Sequence, residues 1–272
     1  QTFKDFEVLI LDNASTDDTA QIAADFAARD ARFHHIRQPY NKGEFRNFHE
    51  AVQLATSPYF MWRACDDRSD SDYLASLSKL LDENPQKDLA VGQVRTMDMD
   101  GGRARCFQFT HLEGGATYLN RARYLLGARA GWYYGLYRRE AILNRMNEVV
   151  STYRNLWGFD YLVLLGFLLD DKAIGTNDTT FEQVRKRTSE TARRKRTNEE
   201  RDRLIYLRRR FLEVAHQMLA QRVASPLLRL LYAPILFAFA DRKLFKYRRL
   251  IWRIMTRPAN AGTVQQDDLA QT

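Results

Sequence analysis

An apolar run that ends in paired acids constrains this chain more than any other feature. Tyr59-Phe60-Met61-Trp62 reads as a buried strand, and Asp66-Asp67 follow it a few residues on. The carboxyl end of a central strand is where an open α/β sheet holds its ligand. Adjacent carboxylates repel one another there. A divalent cation relieves that repulsion, and hard oxygen donors suit Mg²⁺ or Mn²⁺. The plainer reading is that both acids solvate a turn ahead of a helix capped by Asp70 or Ser71.

The residues upstream repeat the pattern. Phe6–Leu11 reads as a strand with Asp12 at its carboxyl end, an acid on the same rim as Asp66. Ser15 and Asp18 have the spacing of a capping box for a helix over 17–29. Phe33–Arg37 reads as a strand, Asn41-Lys42-Gly43 as a turn, and 44–55 as a helix carrying Arg46, Asn47 and His49. A helix over 72–83 stops at Asn84-Pro85. This alternation predicts an α/β fold with a mostly parallel sheet flanked by helices. Leu89–Met97 and Ala104–Phe109, around Asp100-Gly101-Gly102, predict an antiparallel hairpin.

Further on, the pattern predicts helices over 119–126 and 139–149, an aromatic strand Gly131–Tyr137, and an apolar helix Tyr161–Leu169 opened by Trp157-Gly158-Phe159-Asp160. Lys172–Asn177 and Thr180–Val184 read as short strands. A long basic helix then runs to about Val223 and breaks at Ser225-Pro226. An apolar piece, Leu227–Ala240, and a basic amphipathic piece, Asp241–Met255, follow, and 258–272 lacks the apolar periodicity of a folded segment.

Charge divides the chain unevenly. Residues 1–181 hold 21 Lys/Arg against 25 Asp/Glu, whereas 182–257 hold 21 against 7, a net of +14. Two cysteines, Cys65 and Cys106, give no disulfide framework, which suits a reducing cytosol. The longest uncharged run near the C-terminus, Leu230–Ala240, has 11 residues and contains Pro234, too short to span a bilayer.

Gln1–Glu7 running into LILDNASTDDT, then Asn41-x-Gly43 with Arg46-Asn47, then Asp66-Asp67 and a helix closing on Glu83-Asn84-Pro85 together resemble a family 2 glycosyltransferase of GT-A fold. The resemblance is dense over 1–97 and thinner to about 189. It implies a nucleotide-sugar donor, most simply a UDP-sugar, whose base meets Asp12 and Arg46. It implies that Asp66 and Asp67 hold ribose and a Mg²⁺ or Mn²⁺ ion on the diphosphate, and that Arg185 and Arg187 close over that diphosphate. Two departures stand out. Ala64 takes the first place of the common Asp-x-Asp. A strand and helix of roughly 30 residues that family members carry ahead of the Gln-Thr-Phe stretch is not seen, which leaves an inactive scaffold as the alternative.

An inverting transfer needs a carboxylate to take the acceptor's proton. Asp160 is the candidate base, with a helix N-cap as the plainer role. Trp132 and Tyr134 are candidates to stack on a sugar, although an aromatic stripe also serves a core. The expected organisation is a GT-A domain over 1–188, a basic helical region over 189–257 and a tail over 258–272. Arg242, Lys246, Arg249 and Arg253 line one side of a helix beside Leu244, Tyr247, Ile251 and Ile254. That arrangement suits an anionic membrane surface at the cytoplasmic face; a hairpin packed on the catalytic domain is the other reading. Binding to nucleic acid would use the same charge, but no nucleic-acid module is present. The expected acceptor is a lipid-linked or growing surface glycan, as in cell-envelope polysaccharide synthesis.

Overall fold

The computed structural model describes residues 1–98, 104–111, 117–185 and 199–244. Two parallel strands open the chain, β1 (Val8–Asp12) and β2 (Phe33–Arg37), joined by α1 (Thr19–Arg29). After α2 (Glu44–Leu54) come β3 (Tyr59–Phe60), β4 (Arg68–Ser69), α3 (Tyr73–Asp82), β5 (Leu89–Asp98) and β6 (Arg105–Phe107). Helix α4 (Tyr118–Gly127), a 3-10 turn (Ala130–Tyr134), β7 (Leu136–Arg138), α5 (Arg139–Thr152), α6 (Phe159–Leu169) and β8 (Ala173–Arg185) follow. Two helices, α7 (Glu199–Arg222) and α8 (Pro226–Lys243), end the described chain.

The class is α/β, and the strand directions are mixed. The larger sheet runs β3-β7-β5-β8-β4 with β6 on the side of β5; within it only β5 and β8 pair in parallel. β1 and β2 form a sheet of their own. That unit is tied to the larger one through side chains and loops. Asn47 Nδ2 donates to the Leu11 carbonyl at 3.0 Å, and the Thr2 N–H donates to the Ser71 carbonyl at 2.7 Å.

Several local expectations change in the folded chain. The aromatic segment from Gly131 is a tight 3-10 turn, and extended structure starts only at Leu136. Gly131 and Gly135 explain this. A Cβ on the first would press on Val94 and Phe181 at 2.8–3.1 Å, and one on the second would meet the Ala90 carbonyl, so the backbone itself packs on β5 and β8. The two short strands expected over 172–184 are one 13-residue strand, because β5 pairs along nearly its whole length across a register shift. The Ser15 capping box does not form. The Ser15 N–H donates to Asp12 Oδ1 at 2.8 Å, and Asp17 caps the Thr19 N–H instead at 3.1 Å. The Asp100–Gly102 turn, most of Asp241–Met255 and the tail over 258–272 lie outside the described residues.

Helix α6 organises the interior. Nine of its eleven residues are buried, so it needs apolar partners all round. It packs against α4, α5, α7 and the 3-10 turn. Phe211, Val214, Ala215, Met218 and Leu219 of α7, with Tyr232, Leu236 and Phe239 of α8, belong to the same core as the sheet residues Leu89, Val91 and Tyr137. Polar contacts fix the angle of approach. Arg222 of α7 forms a bidentate pair with Glu148 of α5 at 2.8 and 2.9 Å, and its Nε reaches Asp170 at 3.1 Å. Arg145 joins the same two carboxylates. Lys243 donates to the Leu126 and Ala128 carbonyls at the end of α4; burial first, then Arg129 and Arg242, push its pKa down to about 8.

Removing Arg222 leaves the part-buried carboxylates of Glu148 and Asp170 to share the single guanidinium of Arg145. Replacing Arg222 with methionine is therefore expected to cost about 3 kcal/mol of unfolding free energy, read as a lower denaturant midpoint at unchanged slope.

Candidate active site

Two helices begin at the same hollow. Gly43 and Gly158 both have φ of +81°, a backbone that L-residues rarely adopt, and each stands just before the first residue of α2 or α6. The sharp entry aims the first turn of each helix inward. Glu44 and Phe48 of α2, with Phe159 and Asp160 of α6, line a cavity of about 190 Å³ together with Tyr134 and Gln183. Helix N-termini carry partial positive charge, which favours carboxylates in the first turn. Both cavity acids sit there.

Aromatic packing sets the floor of this hollow. Trp62 stacks on Tyr133 with centroids 4.4 Å apart and an 11° interplanar angle, and its Nε1–H donates to the Phe48 carbonyl at 3.1 Å. Phe159 meets Phe45, Phe48 and Tyr133 edge-on at 5.1–6.0 Å. Tyr134 stacks on Phe181 at 5.2 Å. Trp132 is only 3% exposed and packs on Phe109 at 5.3 Å, so it contributes to the core and has no face free for a sugar. Tyr134, half-buried on the cavity wall, is the aromatic that a ligand would meet.

Asp160 is the second residue of α6, whose N-cap position is held by Gly158. Burial raises its pKa to about 6, partly offset by the N–H groups of its own turn. Glu44 is raised by burial as well. Asp66 is exposed and Asp67 half-buried, on the turn between β3 and β4. The Val184 N–H donates to Asp67 Oδ1 at 3.0 Å. Burial raises the Asp67 pKa, and the neighbouring Asp66 charge adds to it. Arg63 braces this turn from beneath. Its guanidinium lies over Phe181 and Tyr73 at 5.2 and 5.6 Å and donates to Ser69 Oγ at 2.9 Å.

One group registers all of these acids. The Tyr134 phenol is pushed up by burial first and then by Asp67, Asp160, Glu44 and Asp66 together. Gln183, which lines the cavity, precedes Val184, whose N–H holds Asp67, so the turn bearing Asp66-Asp67 lies near the hollow without being among the residues that line it.

Asp12 lies on an adjoining rim. Its side chain is closed to solvent, with His35 Nε2 at 3.8 Å and Arg37 Nε at 3.7 Å. Hydrogen bonding from Ser15 leads the terms that hold its pKa low. Its Oδ2 has no hydrogen-bond partner, nor has His35 Nε2, so a polar pair points at itself without closing. Ala14, next in the loop, holds φ of +60°, at a cost of roughly 1 kcal/mol for a residue with a Cβ. Arg46 is exposed on the first turn of α2, one residue before the Asn47 that binds β1. Asn13 Oδ1 accepts from the Lys42 N–H at 2.8 Å, which ties the Asp12 rim to the start of α2. Arg185 closes β8 opposite Asp98 in the ladder, and Arg187 lies outside the described residues. Among the described residues, no three His, Cys, Asp or Glu side chains gather into a ligand set, so Asp66 and Asp67 would share a cation with oxygens from elsewhere.

Glu44 and Gln183 have no sequence signal. A glutamate opening an amphipathic helix reads as solvated, and Gln183 reads as one polar residue of an alternating strand.

The fold is that of the GT-A glycosyltransferases. The family model for glycosyl transferase family 2 matches residues 1–144, and the chain belongs to that family. Relatives named PGL/p-HBAD biosynthesis glycosyltransferase, from Mycobacterium tuberculosis and Mycobacterium bovis, are 28% identical over 162 residues, 59% of this chain. The chain spans 58% of the length of these curated relatives. The S. aureus TarS 1-349 structure in complex with UDP superposes with a TM-score of 0.57 at 15% identity, covering 98% of this chain and 87% of that one. Its complex with UDP-GlcNAc gives 0.56 at 16% identity, covering 81% and 64%.

The raised Asp160 pKa has a stability consequence whose sign is fixed. A carboxyl that titrates higher folded than unfolded favours folding while protonated, and that benefit is lost as pH rises from 3.8 through about 6. Asp160→Asn is therefore expected to stabilise the protein at neutral pH by on the order of 2 kcal/mol. The gain should vanish in melts recorded below pH 4 or so.

Proposed function

We propose that this glycosyltransferase moves a sugar, with inversion, from a UDP-sugar to a lipid-linked or surface-glycan acceptor, and that it works at the cytoplasmic face of a membrane. The observation that carries the reading is a carboxylate held near neutral pKa in a hollow whose lining residue Gln183 adjoins the strand residue that holds the acidic turn. Asp160 accepts the proton of the acceptor hydroxyl. The hydroxyl oxygen forms its bond to the anomeric carbon as the bond from that carbon to the diphosphate breaks, and the electron pair leaves with the nucleoside diphosphate. Attack from the face opposite the leaving group inverts the centre. Asp12 and Arg46 hold the nucleotide, Asp66 reaches ribose, and Tyr134 gives the sugar an apolar face.

Two adjacent carboxylates, one of them desolvated, are a hard-oxygen donor pair that fits Mg²⁺ or Mn²⁺. Asp66 and Asp67 would hold the ion, with the remaining positions left to diphosphate oxygens and water. When bound, such a cation neutralises charge on the departing diphosphate. UDP-bound and UDP-GlcNAc-bound TarS structures share this fold, which supports the choice of donor. The names of the mycobacterial relatives support a lipid-linked acceptor.

Asp160→Asn is expected to keep UDP-sugar binding and lose roughly 10³-fold in turnover, while the wild-type rate falls on the acid side through about pH 6. Turnover that survives the substitution would refute the base. For the metal, Asp67→Ala should abolish the Mn²⁺-dependent part of donor binding in calorimetry; an unchanged isotherm would remove Asp67 from that role.

A further inference from the structure

Helix α8 buries one side and leaves apolar side chains on the other open to solvent. Tyr232, Leu236, Phe239 and Ala240 are buried, whereas Leu227, Leu230, Leu231 and Phe237 are 68%, 69%, 46% and 43% exposed. At 100° per residue these four, with exposed Pro234 between them, fall within a single arc of about 120°, opposite the buried side. Tyr118 Oη of α4 donates to the Leu231 carbonyl at 2.7 Å, within a turn of Pro234, which ties α8 to α4. Beyond Phe237 the stripe opens into a groove of about 530 Å³ between α7 and α8, walled by Ile205 and Leu212 and rimmed by Arg209. The Arg209 side chain is 79% exposed while pairing with Glu213 of the same groove at 2.9 Å, and exposed Arg242 lies on the same side of α8 as the stripe.

We propose that this outer face of α8, with Arg209 and Arg242 at its margin, seats the enzyme flat on an anionic lipid bilayer. The leucines would lie below the headgroups and the arginines among them. Among the described residues no helix is long and apolar enough to cross a membrane, so the contact is along the surface. Charge chooses the occupant. The segment 182–257 carries a net of +14, which matches an anionic leaflet. A second copy docked through the same face would set the arginines of both copies against each other. A nucleic acid would have no use for exposed leucines. The surface differs from the basic stripe read in the sequence, most of which lies outside the described residues. It refines the membrane element of the proposed function and does not depend on the catalytic assignments.

The test is co-flotation of the full chain with phosphatidylcholine vesicles, with and without phosphatidylglycerol. Leu227→Ser, Leu230→Ser and Leu231→Ser are combined in the comparison protein. Wild type should float with the anionic vesicles, and the triple variant should partition at least about tenfold less at an unchanged melting temperature. Equal flotation of both proteins overturns the proposal, as does a wild type that binds neither vesicle. A triple variant that melts lower would mean that the leucines are covered within the protein, and one that turns an oligomer into a monomer would mean that they join copies; either result also overturns it. UDP-sugar binding, measured on the same two preparations without vesicles, should be identical. Its loss in wild type would count against the donor reading, whatever the vesicles show.

Discussion

Everything in this molecule answers to the need to enclose α6. A helix with apolar side chains on every face cannot rest on a surface, and burying one such leucine or phenylalanine is worth about 2 kcal/mol. The sheet and the 3-10 turn cover one side, α4 and α5 flank it, and α7 closes the remainder. The exception in its sequence is Asp160, in the first turn, and the only tolerable place for that carboxylate is the end where the enclosure opens. The position of the acid thus follows from the packing of the helix behind it. Its raised pKa is the electrostatic mark of the same burial.

The polar features divide into those satisfied by the fold and those left waiting. The Arg222–Glu148–Asp170–Arg145 network joins three helices, with Arg145 Nε left as its one buried nitrogen without a partner. Around the hollow the reverse holds. Asp160 and Asp67 have no cationic ion pair among the described contacts, and their pKa values rise with burial. Asp12 keeps one oxygen without a hydrogen-bond partner. Buried polar groups are normally satisfied, and desolvated acids without a cationic partner are what a site looks like before its ligand supplies one.

Three of the four positive-φ residues among those described lie in the same region, the fourth, Asp171, following the far end of α6. Gly43, Gly158 and Ala14 all hold positive φ, and each lies beside one of the candidate residues Glu44, Asp160 and Asp12. Such turns make helices and strands end abruptly, so that side chains of a first turn or a strand end converge on one point. The packing of Trp62, Tyr133, Phe48 and Phe159 then holds α2, β3 and α6 at fixed separations. The acids sit on a rigid aromatic base.

The sequence alone determined the local order of elements, because strand and helix periods and Gly or Pro punctuation act over a few residues. β1, β2, α2, α3 and α6 lie close to where the pattern puts them, and the resemblance carried by residues 1–97 points to the family that the chain belongs to. Tertiary structure decided what depends on contacts between distant residues. It turned the glycine-flanked aromatic run into a 3-10 turn, merged two short strands into β8 along β5, and drew α7 and α8 into the core around α6. It also brought Glu44 and Gln183, 139 positions apart by their numbers, to the cavity of Asp160. No local pattern encodes that meeting, since it exists only once an all-apolar helix has found enough surface to bury itself.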